Sequence, residues 1–213
     1  MRHPFPALYA ILDVTGSGEQ HVFLSGELAD AGVRLVQLRG KHLSSRFIYE
    51  RSRSLIERLD ARGVRVIVND RPDIALLAGA GGVHVGQDDL PVEDARKICS
   101  ASLWVGVSTH SLEQLRAAAR TSADYIAVGP VFPTCTKENP DPVVGVELVR
   151  AARALTQKPL VAIGGITVES AEQIFRAGAD SVAVVRDLSG ASDPGQRARE
   201  YLSIAERVFA TRN

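Results

Sequence analysis

The chain has 213 residues, 45% hydrophobic and 23% charged, which is close to average globular usage and sufficient for a sizeable core. Its 25 basic residues balance 25 acidic ones, which argues against a nucleic-acid or anionic-membrane surface, although a local cationic pocket remains compatible. No apolar run approaches the roughly 18 residues of a membrane span, and residues 1–6 lack a signal-peptide core, so we expect a soluble, cytoplasmic protein.

Apolar runs that suit buried strands alternate with helical patterns along the whole chain. The predicted strands are residues 8–13, 35–39, 65–68, 82–86, 104–108, 124–129, 160–164 and 181–186. The predicted helices are residues 19–31, 44–61, 72–78, 91–99, 147–155, 167–177 and 194–209, with another that a capping-box signature opens at Ser111.

This alternation predicts the fold. Strands separated by helices pair in parallel, and eight such units of about 25 residues predict a single (β/α)8 TIM barrel over residues 1–213. A doubly wound open sheet is the alternative, but the dinucleotide-binding glycine fingerprint is missing after the first strand. In a TIM barrel the functional residues lie at the carboxyl ends of the strands.

The loop after the sixth strand, residues 129–137, reads Gly-Pro-Val-Phe-Pro-Thr-Cys-Thr-Lys. Its two prolines prevent an immediate helix, and Thr134, Thr136 and Lys137 supply hydroxyl and ammonium donors that suit phosphate oxygens. A solvated turn is the alternative interpretation. Cys135 and Cys99 form no C-x-x-C pair or Cys/His cluster, so neither a structural zinc site nor a disulfide framework is expected.

Three polar residues follow one another around the end of the second strand. The two-residue period of a strand puts Gln37, Arg39 and, if the extension persists, Lys41 on one face. If that face is the lumen, an amide and two cations converge without a counter-charge in the sequence around them. The alternative is an inward glutamine with two solvated cations.

Carboxylates follow the third and fourth strands, in the segments Asn69-Asp70 and Gln87-Asp88-Asp89. A Mg²⁺ ion takes one or two carboxylates, keeps several waters and accepts phosphate oxygens, so Asp70 and Asp89 predict a metal half-site. Helix N-capping is the alternative, since Pro72 and Pro91 indicate that helices begin close by.

The remaining strand ends are also polar. Ser108 ends the fifth strand, and the nearby His110 suits either acid/base chemistry or a structural hydrogen bond. Loops after the last two strands form the usual phosphate cup of a TIM barrel, and they contain Gly164, Gly165, Val185 and Arg186. The barrel mouth is therefore predicted to hold one cationic, metal-assisted anion site and a second anion site made of backbone donors.

Six segments in this order and spacing resemble the thiamine-phosphate synthase family over essentially the whole chain. They are residues 37–41, 69–70, 82–89, 106–110, 129–137 and 162–166. The resemblance implies an enzyme that joins a pyrimidinylmethyl diphosphate to a thiazole phosphate, releasing pyrophosphate, with Mg²⁺ as cofactor. Small molecules would be its partners, and a homo-oligomer is left open.

The resemblance also implies residue roles, in groups that follow the two substrates. The pyrimidine diphosphate would contact Gln37, Arg39, Lys41, Asn69, Ser108 and Lys137. The thiazole phosphate would contact Thr134, Thr136, Gly165, Val185 and Arg186, and Mg²⁺ would bind Asp70 and Asp89. The residues expected to act in catalysis are Arg39, Lys41, Ser108 and Lys137.

Early departure of diphosphate is the expected mechanism, so no covalent nucleophile is required and Cys135 receives no such role. Arg186 stands where the family often has serine, and we expect it to add a charged contact to the thiazole phosphate. The alternatives are a thiazole tautomerase of the same superfamily that uses a histidine near position 110, and a non-catalytic barrel that binds phosphate ligands.

Overall fold

A computed structural model describes residues 5–14, 20–99, 101–134 and 141–212. Within these residues, eight parallel strands close into a barrel in sequence order, with β8 paired back onto β1. The strands are β1 (Leu8–Asp13), β2 (Leu35–Arg39), β3 (Arg65–Asn69), β4 (Gly82–Val85), β5 (Trp104–Thr109), β6 (Tyr125–Val128), β7 (Leu160–Ile163) and β8 (Ser181–Val184). The predicted TIM-barrel fold is confirmed.

Helices surround the barrel. They are α1 (Gln20–Asp30), α2 (Ser45–Leu59), α3 (Pro72–Ala78), α4 (Val92–Ile98), α5 (Leu112–Ala119), α6 (Gly145–Leu155), α7 (Val168–Arg176), α8 (Arg186–Ser189) and α9 (Pro194–Ala210). A 3₁₀ turn, Asp60–Arg62, follows α2. Among the described residues, no helix is long and apolar enough to cross a membrane.

The prediction for the last strand was wrong at its end. It continued the strand to Arg186, whereas β8 ends at Val184 and Arg186 begins the short helix α8. The strand ends there because its pairing with β1 ends there, with Ala10 and Val184 as the last register pair. Val185 then leaves the extended region, with φ −112° and ψ −80°.

Alternate residues of each strand face the lumen, as the two-residue period requires. On β2 the side chains of Leu35 and Gln37 point inward, while Val36 and Leu38 pack in the layer between strands and helices. The apolar lumen residues form a cluster of their own: Tyr9, Ile11, Leu35, Ile67, Tyr125, Ala127, Val161 and Ala183. The barrel interior is therefore filled with side chains below its mouth.

The Tyr125 ring occupies the centre of the lumen. It stacks on His84 with ring centroids 5.5 Å apart and meets Tyr9 edge-on at 6.0 Å. Room for the ring comes from Gly106, because a Cβ atom there would overlap Tyr125. One glycine on β5 thus permits a buried aromatic side chain on β6.

At the end of the barrel where the strands begin, the same hydrogen-bond arrangement occurs twice. Asp124, just before β6, accepts hydrogen bonds from the backbone N–H of Val105 and from Arg96 of α4. Two units later, Asp180 accepts them in the same way from Leu160 N–H and from Arg153 of α6. These ion pairs tie helices to strand starts, at the end of the barrel that normally serves stability.

The packing at Gly106 predicts a large effect of adding one methyl group. Gly106→Ala should lower the free energy of unfolding by about 1–3 kcal/mol, since the central Tyr125 ring has to move. Urea unfolding measures this change.

Gly26→Ala in helix α1 is the matched control. A Cβ atom there meets only the flexible end of Arg58 at 3.4 Å, and alanine is the better helix former. The control should therefore be neutral or stabilising by up to about 1 kcal/mol. Equal destabilisation by the two substitutions would contradict the packing argument.

Candidate active site

A cavity of about 970 Å³ opens at the carboxyl ends of the strands. All predicted site residues that the structure describes line it: Gln37, Arg39, Lys41, Asn69, Asp70, Asp89, Ser108, Thr134, Gly165, Val185 and Arg186. The predicted positions Thr136 and Lys137, like Cys135, lie outside the described residues. Seven different strand–helix loops and strand ends therefore contribute to one space.

An ion pair between neighbouring strands holds the first cation of this cavity. Arg39 Nη1 lies 2.7 Å from Asp13 Oδ2, and the two side chains are only 17% and 19% exposed. The register pairs Asp13 directly with Arg39 at the ends of β1 and β2. The expectation of cations without a counter-charge was therefore wrong for Arg39, whose guanidinium is held in place by a carboxylate.

Lys41 differs from Arg39. It follows the end of β2 by two residues, is exposed, and still lines the cavity. An ammonium on a flexible stem at the rim can follow a ligand into the cavity. The sequence prediction that Gln37, Arg39 and Lys41 reach one space is confirmed, although only the first two do so from the strand.

The two carboxylates do not cap helices. The N-cap of α3 is Arg71 and that of α4 is Pro91, and neither makes a side-chain capping bond. Asp70 instead adopts a left-handed conformation with φ +62° and donates its N–H to His84 O at 2.8 Å. Asp89 Oδ2 accepts from Gly86 N–H at 2.7 Å. The capping alternative is therefore wrong at both positions.

Asp70 and Asp89 face each other in a partly buried corner of the cavity. Burial, together with the neighbouring Asp89, raises the pKa of Asp70 from 3.8 to about 6, while Lys41 and Arg39 act in the opposite direction. Among the described residues these carboxylates join no group of three or more His, Cys, Asp or Glu side chains. Two carboxylates that repel each other fit a Mg²⁺ ion that also keeps waters and takes phosphate oxygens.

A chain of hydrogen bonds crosses the floor of the cavity. Gln37 Nε2 donates to Tyr9 Oη at 2.8 Å, and Tyr9 Oη lies 3.0 Å from Tyr125 Oη. Tyr125 Oη in turn lies 3.0 Å from His84 Nδ1, and His84 Nε2 lies 2.9 Å from Ser108 Oγ. Two predicted site residues, Gln37 and Ser108, are thus joined through three buried side chains.

The sequence prediction missed Tyr9, His84 and Tyr125 as parts of the site. Burial lowers the pKa of His84 to about 4, so its imidazole is neutral near pH 7, and burial raises the pKa of both tyrosines. Strand parity is the signal that could have found His84. His84 shares one face of its strand with Gly82 and Gly86, and in the structure that face points into the lumen.

The Gly-Gly turn after β7 leaves room for the neighbouring loop. Gly164 and Gly165 have φ of +99° and +62°, and a Cβ atom on either would overlap the loop after β6, at Pro130 and Pro133. That loop continues beside β7, because Phe132 N–H donates to Gly164 O at 3.0 Å. Both glycines are needed for the loop that carries Thr134 to reach the cavity.

His110 joins the two ends of the same loop. Its Nδ1–H donates to Gly129 O at 2.5 Å, and its Nε2 lies 3.5 Å from Asp141 Oδ2. Ser111 caps α5 as predicted, but Gln114 Oε1 accepts from His110 N–H and not from Ser111. These contacts favour the structural interpretation of His110 over an acid/base role.

Asp187 anchors the rim of the cavity just after β8. Its carboxylate accepts hydrogen bonds from Tyr201 Oη at 2.7 Å, Arg197 Nη1 at 2.9 Å and Val168 N–H at 3.3 Å. It thereby ties the start of α8 to α7 and α9. Val185 and Arg186 are positioned by this residue, which sequence reasoning also missed because its partners lie in other helices.

The facing carboxylates predict a pH-dependent gain in stability for Asp70→Asn. A carboxyl whose pKa is higher in the folded than in the unfolded protein destabilises the fold as pH rises from about 4 through about 6. Asparagine keeps the left-handed backbone without the charge. Without divalent cations, the variant should be more stable by about 1–2 kcal/mol at about pH 8, with allowance for partial solvation.

Urea unfolding of both proteins at about pH 4 and about pH 8 measures the difference. The gain should vanish at the acidic pH, where the wild-type carboxyl is protonated in the folded protein. A variant that is less stable at pH 8, or equally shifted at both pH values, would contradict the electrostatic account.

Comparison with known proteins identifies a family. The profile of the thiamine monophosphate synthase family matches residues 8–188. A thiamine-phosphate synthase of Koribacter versatilis is 48% identical over 204 residues, covering 93% of this chain and 95% of that protein. One from Chloroflexus aurantiacus is 42% identical, covering 92% and 91%.

A solved structure extends the similarity to the fold. Thiamine phosphate pyrophosphorylase from Pyrococcus furiosus superposes with a TM-score of 0.85 at 33% identity, covering 95% of this chain and 96% of that one. The residues that match the family profile, 8–188, span all eight strands of the barrel. The chain therefore belongs to the thiamine-phosphate synthase family, a family of transferases.

Proposed function

We propose that this protein condenses 4-amino-2-methyl-5-(diphosphooxymethyl)pyrimidine with a thiazole phosphate, giving thiamine phosphate and pyrophosphate, and that residues 1–213 form one catalytic domain. The observation that carries the proposal is that one cavity is lined by the cations Arg39 and Lys41, by the paired carboxylates Asp70 and Asp89, and by the glycine turn at Gly165. A diphosphate and a monophosphate are the anions that such a pair of subsites would hold.

The pyrimidine diphosphate is assigned to the side of β2–β5. Arg39 and Lys41 would bind the diphosphate, with Lys137 added from the loop after β6. The pyrimidine would sit on the floor of the cavity, which is lined by Gln37, Asn69 and Ser108. The ion pair with Asp13 supports this role for Arg39, because it orients the guanidinium before substrate binds.

The thiazole phosphate is assigned to the side of β6–β8. Thr134 and Thr136 would contact the thiazole, and its phosphate would lie near Gly165, Val185 and Arg186. The positive φ of Gly165 and the anchoring of α8 by Asp187 support this assignment, since both shape the rim of the cavity. The substrate's charge is matched there by Arg186 and by backbone N–H groups.

The proposed chemistry follows from the division of the cavity. Arg39, Lys41 and Lys137 stabilise the charge that develops on the diphosphate as its bond to the pyrimidine methylene breaks. The thiazole nitrogen, held in a fixed pose, then attacks the methylene carbon, so positioning contributes much of the rate. No side chain has to form a covalent bond with either substrate.

Asp70 and Asp89 would hold the Mg²⁺ ion. When bound, Mg²⁺ neutralises charge on diphosphate oxygens and thereby assists departure of the leaving group. The pair fits this purpose because its mutual repulsion and burial already disfavour two bare carboxylates. Hydrogen bonding of Asp89 to Gly86 N–H orients one of the two carboxylates.

A pyrophosphate-release assay with purified protein, both substrates and Mg²⁺ tests the function. Pyrophosphate should appear only when both substrates are present and should stop when a chelator is added. No pyrophosphate under any condition would contradict the synthase proposal, and turnover that is insensitive to the chelator would contradict the role of the metal.

Two substitutions on the leaving-group side should lower turnover. Asp70→Asn and Lys137→Ala should each reduce kcat by at least about 100-fold, because each removes stabilisation of the departing diphosphate. Steady-state kinetics with saturating Mg²⁺ measures this loss. Near-normal turnover in either variant would remove that residue from the proposed machinery.

Arg186→Ser tests the acceptor side separately. It should raise KM for the thiazole phosphate by about tenfold, the effect of losing one charge-assisted contact, without changing KM for the pyrimidine diphosphate. An unchanged KM for the thiazole phosphate would contradict the assigned contact.

A further inference from the structure

The hydrogen-bond chain on the cavity floor has a direction. We infer that Gln37 sets this direction, so that Tyr9 and Tyr125 act as positioning residues that hold His84 as its Nε2–H tautomer and leave the Ser108 hydroxyl hydrogen free for the substrate. The direction itself is independent of the reaction, whereas the identity of the acceptor on the substrate rests on the proposed function.

The number of hydrogens in the hydrogen-bond chain limits the directions that it can take. A tyrosine hydroxyl has one hydrogen to donate, and a neutral imidazole has one N–H and one bare nitrogen. Each link between Tyr9, Tyr125, His84 and Ser108 therefore holds one hydrogen. If any one link is oriented, every link beyond it follows, so the chain has only two possible directions.

Gln37 orients the first link. Its Nε2 amide group, which can only donate, lies 2.8 Å from Tyr9 Oη. Tyr9 then donates to Tyr125, and Tyr125 donates to His84 Nδ1 at 3.0 Å. With Nδ1 accepting, the imidazole hydrogen is on Nε2 and is donated to Ser108 Oγ at 2.9 Å.

Burial makes the chain continuous. Tyr9, Tyr125 and His84 are 1%, 0% and 7% exposed, and Gln37 is 3% exposed. Within the packed lumen these side chains have one another as hydrogen-bond partners, and a hydrogen bond left unmade at this depth destabilises the fold. A reversal at one link would leave a buried hydroxyl hydrogen without an acceptor or set two hydrogens against each other, so the direction is kept along the whole chain.

The chain ends at the substrate side of Ser108. Its Oγ accepts from His84, and its backbone carbonyl accepts from Gln87 Nε2 at 2.6 Å, which fixes the residue in place. The Ser108 hydroxyl hydrogen is then available to the cavity that the side chain lines. It suits an acceptor atom without a hydrogen, such as a ring nitrogen of the proposed pyrimidine substrate.

The tautomer of His84 is the direct test. Long-range ¹H–¹⁵N correlation spectra of protein labelled with ¹⁵N-histidine distinguish the two neutral tautomers, and His84→Gln identifies which of the signals belongs to this residue. The inference predicts a protonated Nε2 and a bare Nδ1 in the ligand-free protein. A protonated Nδ1 would overturn it.

Gln37→Glu tests whether Gln37 is the origin of the direction. A carboxylate accepts from Tyr9 and should reverse every link, which moves the His84 hydrogen to Nδ1. The same substitution in a Tyr125→Phe background is the control, because the connection to His84 is then cut and Gln37→Glu should leave the tautomer as Tyr125→Phe alone has it. No reversal in the single variant, or the same reversal with the connection cut, would overturn the inference.

Tyr9→Phe supplies a second variant should Gln37→Glu fail to fold. It separates Tyr125 and His84 from Gln37, so both tautomers of His84 should become populated. An unchanged, single Nε2–H tautomer would show that Gln37 does not set the direction. These spectra need no substrate, so they remain decisive even if the pyrophosphate assay fails.

Kinetics of Tyr9→Phe then tests the consequence for the substrate. KM for the pyrimidine diphosphate should rise about fivefold, in line with loss of one oriented hydrogen bond, while KM for the thiazole phosphate stays unchanged. An equal change in both KM values would indicate a general structural effect and would contradict the positioning role.

Discussion

Every second side chain of a closed parallel barrel points into the lumen, and this constraint decides which residues of this protein can meet. Below the mouth the lumen positions are filled by apolar and aromatic side chains around Tyr125, with Gly106 leaving the space for its ring. At the mouth the same parity brings Gln37 and Arg39 to the surface of that packed floor. The cavity is therefore built on a rigid base, and its polar groups come from strand ends.

The polar groups are themselves held by partners that are not expected to touch substrate. Asp13 orients Arg39, Gly86 N–H orients Asp89, and Asp187 anchors the segment that carries Arg186. Such preorganisation places charge where it is needed before the reaction starts. Asp70 is the exception. Burial and the neighbouring Asp89 raise the pKa of its carboxyl, so the charged form of Asp70 destabilises the fold when no cation is bound.

Much of this could be predicted from sequence, because strand–helix alternation and the polar strand ends are local patterns. Contacts between residues that are distant in sequence could not be predicted. The ion pair of Arg39 with Asp13 depends on strand register, and the hydrogen bond between His84 and Tyr125 joins residues 41 positions apart. The capping interpretation of Asp70 failed because its left-handed backbone and the N-cap at Arg71 are set by tertiary structure. Helix α8 is only four residues long, too short for a helical period to be visible.

The central claim is that one cavity separates a leaving-group side from an acceptor side. A crystal structure of the protein with Mg²⁺ and pyrophosphate tests it most directly. The account predicts pyrophosphate against Arg39 and Lys41, with the metal ion between it and the carboxylates of Asp70 and Asp89. Pyrophosphate bound instead at Gly165 and Arg186, or a metal ion that contacts neither carboxylate, would contradict it.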